Sequence, residues 1–231
     1  MDVTNESGSP NGSPEYTQTG VVIRRVGHDL RNKLSVLRNS TYYLTMKLGG
    51  QNERVDKHLH LLSREVGTLN RMVVDLMDLV SPKPPILADA DLNALVRRAL
   101  DESPAPEGIQ PVLSLDQSLA AISLDADQCA HALGNVLSYQ YGSLRPGDTL
   151  RIVTRTDARQ VYLECIDSGP GLEKEQLEGL FEARGPDGFA PPLMGLLVAR
   201  QLVAQSGGRL QVESRVGLGT RFSLVFPLNP K

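Results

Sequence analysis

The chain has little of what several specialised classes of protein depend on. It contains no tryptophan, 4% aromatic residues and only two cysteines among 231 residues. Two cysteines cannot build a disulfide framework, and the four histidines show no zinc-ligand spacing, so we expect no structural metal. Cys129 and Cys165 both fall in segments with periodic apolar residues. We therefore expect them to be reduced side chains within a core.

Neither sign of charge dominates, since 24 basic and 27 acidic residues give a net charge of -3. The basic residues are scattered, so we expect no nucleic acid partner and no attraction to an acidic membrane surface. No apolar run approaches the ~20 residues that a membrane-spanning helix needs. No signal peptide is recognisable either. The sequence therefore predicts a soluble, cytoplasmic protein.

Changes in composition divide the chain into four parts. Residues 1–20 are rich in Ser, Thr, Asn, Gly and Pro, which predicts a disordered tail. Helical periodicity then continues until the proline-rich segment "SPKPP", so we place a helical hairpin at 21–81 and a linker at 82–90. Residues 91–231 mix short helical and strand-like segments and form the last predicted domain.

The hairpin carries one long apolar stripe on each helix. Apolar residues recur at steps of three and four from Val22 to Leu48 and again from Val55 to Val80. Gly49 and Gly50 separate the two patterns, and glycine is favoured where a helix ends. An antiparallel helix pair cannot cover such stripes by itself. The pattern therefore predicts a homodimer whose hairpins form a four-helix bundle.

The last domain has the pattern of an α+β fold. Helical patterns are found at 91–102, 126–142 and 192–208; strand patterns are found at 110–116, 120–125, 148–169 and 209–228. The last two strand patterns are long enough for hairpins. Helices segregated against a mixed sheet predict an α/β sandwich.

One histidine lies on the first predicted helix, in "VGHDLRNKLSVLRNS" at residues 26–40. His28 is two residues from Val26 and two from Leu30, about 200° around the helix from each. It therefore points away from the apolar stripe and into solvent. At such a position a histidine is either a reactive group or an ordinary surface residue.

Six motifs, taken in order, resemble those of the two-component sensor histidine kinases. They are "HDLRNKL" for the H-box, "HALGNVLSYQYG" for the N-box, "DSGPGL" for the G1 box, "LFEAR" for the F-box, "GLLVARQLVAQSGG" for the end of the G2 box and "GLGTRFSLVFPL" for the closing strands. The resemblance covers nearly the whole chain from about residue 20. It implies a dimerising phosphotransfer hairpin followed by a GHKL-type ATPase domain, and it favours a reactive His28.

The resemblance implies roles for three residues of the H-box. His28 matches the nucleophile that carries the phosphoryl group, and Asp29 matches the carboxylate that accepts or orients the imidazole proton. Asn32, one helical turn further on, matches a residue that can orient water for dephosphorylation of the regulator. The implied partner is the receiver domain of a response regulator. Lys33 replaces a proline common in the family, which puts the usual helix bend in doubt.

Six positions match the family's nucleotide site: Asp167, Gly169, Gly171, Gly195, Thr220 and Asn135. The resemblance implies that Asp167 recognises the amino group of adenine, with Thr220 lining the same pocket. Gly169 and Gly171 would let the backbone approach the base. Gly195 matches the last glycine of the G2 box, and Asn135 matches the first asparagine of the N-box.

The phosphate end of the site departs from the family pattern. Tyr139 stands where the second asparagine of the N-box normally holds Mg²⁺, and a phenol is a poor ligand for a hard cation. Pro191 and Leu193 replace two glycines of the G2 box, so one backbone N–H is lost and one side chain is added. Phosphoryl transfer depends on positioning and on charge stabilisation. We therefore expect weak or absent ATP binding with little dependence on Mg²⁺.

Three functions remain open on these grounds. The first is phosphoryl exchange between His28 and a regulator aspartate, without efficient autophosphorylation. The second is a divergent but active cytoplasmic histidine kinase, which the intact Asp167, Gly169 and Gly171 keep open. The third is a non-enzymatic modulator that binds other kinases or regulators through the helical hairpin. Retention of His28 beside an altered Tyr139 favours the first.

Overall fold

The computed structural model describes residues 18–50, 52–181 and 191–228. The chain divides into two compact units between Val73 and Val74. Most of the predicted disordered tail, residues 1–17, lies outside the described ranges. Residues 18–20, which we had included in that tail, already belong to the first helix.

The first unit contains helix α1 (Gln18–Leu48) and most of helix α2 (Glu53–Val80), which confirms the two predicted helices. The chain leaves α1 through Gly50, whose φ of 78° is the left-handed conformation that glycine adopts without strain. The Gly50 N–H donates to Oδ1 of Asp56 at 3.0 Å. Asn52 begins α2, because its Oδ1 accepts from the Arg54 N–H at 2.9 Å.

The apolar stripes of the first unit are only partly covered. The buried members are Leu34, Thr41, Leu59 and Val66, each 6–8% exposed. Six further members are exposed to solvent: Val26, Leu30, Leu37, Leu44, Leu62 and Leu69 are each 41–52% exposed. Each stripe therefore has one covered part and one uncovered apolar part.

The second unit is a layer of helices on a sheet, which confirms the predicted α+β class. Its remaining helices are α3 (Leu92–Glu102), α4 (Ala126–Ser143), α5 (Lys174–Gly179) and α6 (Pro191–Gln205). Its strands are β1 (Ala88–Ala90), β2 (Pro111–Leu115), β3 (Ile122–Leu124), β4 (Leu150–Thr156), β5 (Gln160–Asp167), β6 (Arg209–Arg215) and β7 (Gly219–Pro227). The main sheet has the order β2-β4-β5-β7-β6, and only its β2–β4 pair is parallel. Both predicted hairpins, β4–β5 and β6–β7, are present.

The core of the second unit lies between the sheet and the helices. Alternate residues of the strands point inward, so that Ile152, Leu163 and Phe222 are fully buried. Cys129 and Cys165 are buried, free thiols, as predicted. Burial raises the pKa of both thiols to about 12, so they are neutral at physiological pH.

The predicted linker is partly folded. Residues 88–90 form β1, which pairs antiparallel with β3 in a small separate sheet. The Ile86 N–H donates to Oδ2 of Asp125 at 2.7 Å, and the same carboxylate caps α4 through the Asp127 and Gln128 N–H groups. One side chain therefore anchors both the linker and the start of α4.

No helix within the described ranges combines the length and the apolar character needed to cross a membrane.

Candidate functional site

His28 lies on α1, and its side chain is 66% exposed, as the helical phase predicted. Both contacts of the ring involve Nδ1, which lies 3.3 Å from Nδ2 of Asn32 and 3.7 Å from Oδ1 of Asp29. The H-box residues that we singled out therefore lie together on one exposed face. Helix α1 continues without interruption through Lys33.

The position of Asp29 favours one tautomer of His28. A proton on Nδ1 faces the carboxylate of Asp29 and leaves the lone pair of Nε2 available to an incoming electrophile. In that tautomer the carboxamide of Asn32 presents its oxygen to Nδ1, which needs only a 180° rotation of the amide. The local arrangement is thus suited to a nucleophilic imidazole nitrogen.

The second unit contains a buried carboxylate at the end of β5. Asp167 is 5% exposed, and its Oδ1 accepts the N–H groups of Gly169 at 2.9 Å and Thr220 at 3.1 Å. A Cβ at Gly171, whose φ is 71°, would overlap the carbonyl oxygen of Arg215. The structure thus brings together the four residues that we assigned to the base end of the nucleotide site.

Gln140, which the sequence analysis missed, also belongs to this group. It is fully buried on α4, and its Nε2 donates to Oδ2 of Asp167 at 2.7 Å and to the Cys165 carbonyl at 3.2 Å. Its Oε1 is buried without a hydrogen-bond partner in the described part of the chain. A signal was available: Gln140 continues the spacing of Leu133, Val136 and Leu137, so a polar residue stands on the buried face of its helix.

Asn135 has a different environment from Asp167. Its side chain is 4% exposed, and Nδ2 donates to Oδ1 of Asp75 at 3.0 Å. A Cβ placed on Gly195 would lie 3.2 Å from Cγ of Asn135, so this glycine lets α6 pack closely on α4. Asn135 and Gly195 therefore contact each other, and Asn135 is engaged by Asp75 at the end of α2.

The same aspartate belongs to a partly buried ionic cluster. Nε2 of His131 lies 2.9 Å from Oδ1 of Asp75, and its Nδ1 lies 3.4 Å from Oδ2 of Asp78. Burial by itself would lower the pKa of His131, but hydrogen bonds and charge from the two carboxylates outweigh it and raise the pKa to about 9. His131 is therefore protonated at neutral pH and holds the last turns of α2 to α4.

At the predicted metal end of the site, Tyr139 makes a packing contact with the sheet. The ring of Tyr139 packs edge-to-face on Phe222 with centroids 5.6 Å apart, and burial followed by the nearby charge of Asp167 raises its pKa. A neutral, packed phenol is a poor ligand for Mg²⁺. Within the described ranges no group of three or more His, Cys, Asp or Glu side chains could hold a metal ion.

The glycine-rich part of the site is also altered. Pro191 is the first residue of α6, and Leu193 packs against the core. Proline is favoured at the first position of a helix, where its missing N–H is not needed. The preceding lid falls largely on residues 182–190, outside the described ranges. The described residues of this part thus differ from the family pattern at Tyr139, Pro191 and Leu193.

The chain is similar to known proteins over most of its length. The sequence model of the family described as "Histidine kinase-, DNA gyrase B-, and HSP90-like ATPase" matches residues 125–230. The sensor histidine kinase ZraS of Escherichia coli O157:H7 is 28% identical over 209 residues, 88% of this chain and 45% of that protein. The histidine-protein kinase AtoS of Escherichia coli K12 is 22% identical over 217 residues, 92% of this chain and 35% of that protein. This chain thus spans less than half the length of these relatives.

Solved structures share the fold. Full-length ShkA in complex with AMPPNP superposes with a TM-score of 0.68 at 19% identity, over 90% of this chain and 46% of that chain. Histidine kinase ThkA in complex with the response regulator protein TrrA gives a TM-score of 0.61 at 18% identity, over 91% of this chain and 62% of that chain.

The description of the matched family as ATPases points to ATP as the ligand of this type of domain. The fold, with N-terminal helices followed by the sheet domain, agrees with these structures. Residues 125–230 thus match the histidine kinase-, DNA gyrase B- and HSP90-like ATPase family, and similarity over most of the chain supports a two-component histidine kinase with a GHKL-type ATPase domain.

Proposed function

We propose that this chain exchanges a phosphoryl group between His28 and an aspartate of a response-regulator receiver domain, and that it uses ATP poorly. The observation that carries the proposal is the exposed His28, with Asp29 and Asn32 beside its Nδ1. Exposure lets a second protein reach the ring, and the carboxylate favours the tautomer that leaves Nε2 nucleophilic.

The proposed step needs no bound nucleotide. The Nε2 lone pair of His28 forms a bond to phosphorus while the bond between phosphorus and the regulator's aspartyl oxygen breaks. The regulator's aspartate leaves as a carboxylate, and the proton on Nδ1 stays on the ring, where Asp29 stabilises the developing positive charge. In the reverse direction the same atoms return the phosphoryl group to the regulator.

The proposed partner follows from the family and from the surface around the histidine. ThkA was solved in complex with a response regulator, which supports a partner of the same kind here. Lys33 and Val36 lie exposed on α1, five and eight residues after His28, and Val36 is 65% exposed. We propose that this part of α1 receives the receiver domain.

We also propose that the chain is a homodimer. The uncovered members of the apolar stripes, such as Leu62 and Leu69, are about half exposed in the single chain. A second copy would bury this surface in a four-helix bundle.

Poor use of ATP is supported by the residues of the second unit. Tyr139 is packed on Phe222 at the position where the family places a metal ligand. The carboxylate of Asp167 already has hydrogen bonds to both oxygens. Catalysis of phosphoryl transfer from ATP relies on metal and backbone donors around the phosphates, and these are the altered positions.

The test uses receiver domains phosphorylated in advance with a small phosphoryl donor. We expect the purified chain to take the label from at least one receiver of a panel, and His28→Gln to take none. His60→Gln, which changes an exposed histidine of the same unit, is the matched control and should label normally. Equal labelling of His28→Gln would contradict the proposal.

A second candidate function is that of an active, divergent kinase. It is favoured by the intact grouping of Asp167, Gly169, Gly171 and Thr220 at the end of β5. Incubation with γ-labelled ATP and Mg²⁺ separates it from the first, because only an active kinase would label His28 without a phosphorylated receiver. If neither reagent labels the chain, the modulator function is favoured instead.

A further inference from the structure

We propose that Gln140 occupies the base-binding position of the ATPase-like domain, its carboxamide taking the hydrogen bond of Asp167 that the amino group of adenine would take. The inference deepens the proposed poor use of ATP and rests on that part of the proposed function alone. It does not depend on whether His28 exchanges phosphoryl groups.

The hydrogen bonds of Asp167 show which oxygen a ligand could use. Oδ1 accepts two backbone N–H groups, from Gly169 at 2.9 Å and Thr220 at 3.1 Å. These donors are fixed by the backbone and hold the carboxylate in place. Oδ2 is therefore the oxygen left for an amino group, and Gln140 Nε2 lies 2.7 Å from it.

The carboxamide of Gln140 has the same kind of polar edge as adenine. An NH₂ donor stands beside an acceptor in one plane in both groups: Oε1 in the amide and N1 in the base. The hydrogens of Nε2 are used by Asp167 and by the Cys165 carbonyl at 3.2 Å. Oε1 cannot exchange places with Nε2, because it would then face a carboxylate oxygen at 2.7 Å.

The unpaired Oε1 supports the view that the Gln140 amide takes the place of the adenine amino group. Gln140 is fully buried, yet its Oε1 has no hydrogen-bond partner among the residues that the structure describes. Buried acceptors are normally paired, so an unpaired one needs a cause. Here the cause is that Asp167 accepts a hydrogen bond from Nε2 of the amide but has no donor to offer to Oε1. The acceptor end is left facing no protein donor.

A different role for Gln140 would be to orient Asp167 for a bound base. The two roles make opposite predictions when the amide is removed. If Gln140 orients Asp167, removing the amide would weaken ligand binding. If Gln140 occupies the base position, removing the amide would strengthen ligand binding. The two backbone bonds on Oδ1 already orient Asp167, which favours the occupant.

The experiment measures ADP binding by titration calorimetry in the presence of EDTA, so that the metal end of the site plays no part. Relative to the unmodified chain, Gln140→Ala should bind ADP at least about tenfold more tightly, because it removes both the side chain from the base position and its hydrogen bond to Asp167. GDP affinity should not rise. Gln128→Ala is the matched control, since Gln128 is on the same helix and its Nε2 also donates to a backbone carbonyl.

Two further variants separate the effect from a change in folding. Gln140→Met keeps the bulk of the side chain without the amide. It should give no gain in ADP affinity, because the base position stays filled. If Gln140→Ala loses its cooperative thermal transition, Gln140→Ser is measured in its place. The serine variant should show the same gain in ADP affinity. Unchanged or weaker ADP binding by a folded alanine or serine variant would overturn the proposal. ADP affinity involves no transfer, so failed labelling of His28 leaves this result unaffected.

Discussion

The two polar sites of this chain differ most in their exposure and in the number of hydrogen bonds that their central side chains make. His28 is exposed, and its contacts with described residues are those of Nδ1 with Asp29 and Asn32 of the same helix. Asp167 is buried and accepts hydrogen bonds from three donors on three segments of the chain. A group with an unused lone pair in solvent can react with another protein. A buried group whose hydrogen bonds are complete stabilises the fold, and a ligand must first displace its partners.

The largest expected effect concerns the exposed apolar residues of the unit that contains His28. Changing Leu62 and Leu69 together to Glu would place charges in the proposed bundle seam, where burial of an unpaired charge is costly. We expect complete conversion from dimer to monomer by light scattering. Ser63→Glu, an exposed change on the same helix, should leave the dimer intact. A monomer in the unmodified chain would contradict the proposed dimer.

Replacing one aspartate by alanine in each site tests whether burial distinguishes the two sites. Asp167→Ala leaves three donors without their acceptor, so we expect a loss of about 3 kcal/mol in the free energy of unfolding. Asp29→Ala removes an exposed carboxylate and should change that free energy by less than about 0.5 kcal/mol. Urea denaturation measures both. Equal losses would show that burial does not distinguish the two sites.

A pH dependence tests the cluster that holds the end of α2. The pKa of His131 is raised to about 9, from an ordinary value near 6.5. The stabilisation is therefore complete below about pH 6.5 and is lost as pH rises through about 9. We expect the loss to be on the order of 2 kcal/mol in the free energy of unfolding. His131→Gln should lack this loss between pH 7 and 10, and an unchanged profile in that variant would contradict the assignment.

Periodicity and helical phase predicted much of this structure. Steps of three and four residues gave α1 and α2 to within a few residues, and the same phase placed His28 in solvent. Alternation predicted the β4–β5 and β6–β7 hairpins. These features depend on neighbours along the chain, which a sequence shows directly.

What the sequence did not reveal depends on contacts between distant residues. Strand β1 has the sequence Ala-Asp-Ala, too short and polar for an alternating pattern, and it exists through pairing with β3. The bonds from Gln140 to Asp167 and from Asn135 to Asp75 join residues 27 and 60 positions apart. Motif matching assigns Asn135 and Asp167 to one site. Their side-chain partners differ, and only tertiary packing determines them.

The most direct test of the account offers the same purified chain two phosphoryl donors in parallel. One sample receives a phosphorylated receiver domain, the other receives labelled ATP with Mg²⁺, and phosphohistidine at residue 28 is quantified by mass spectrometry. We expect phosphohistidine in the sample with the phosphorylated receiver and little or none in the sample with ATP. Efficient labelling by ATP, with none from any receiver, would contradict it.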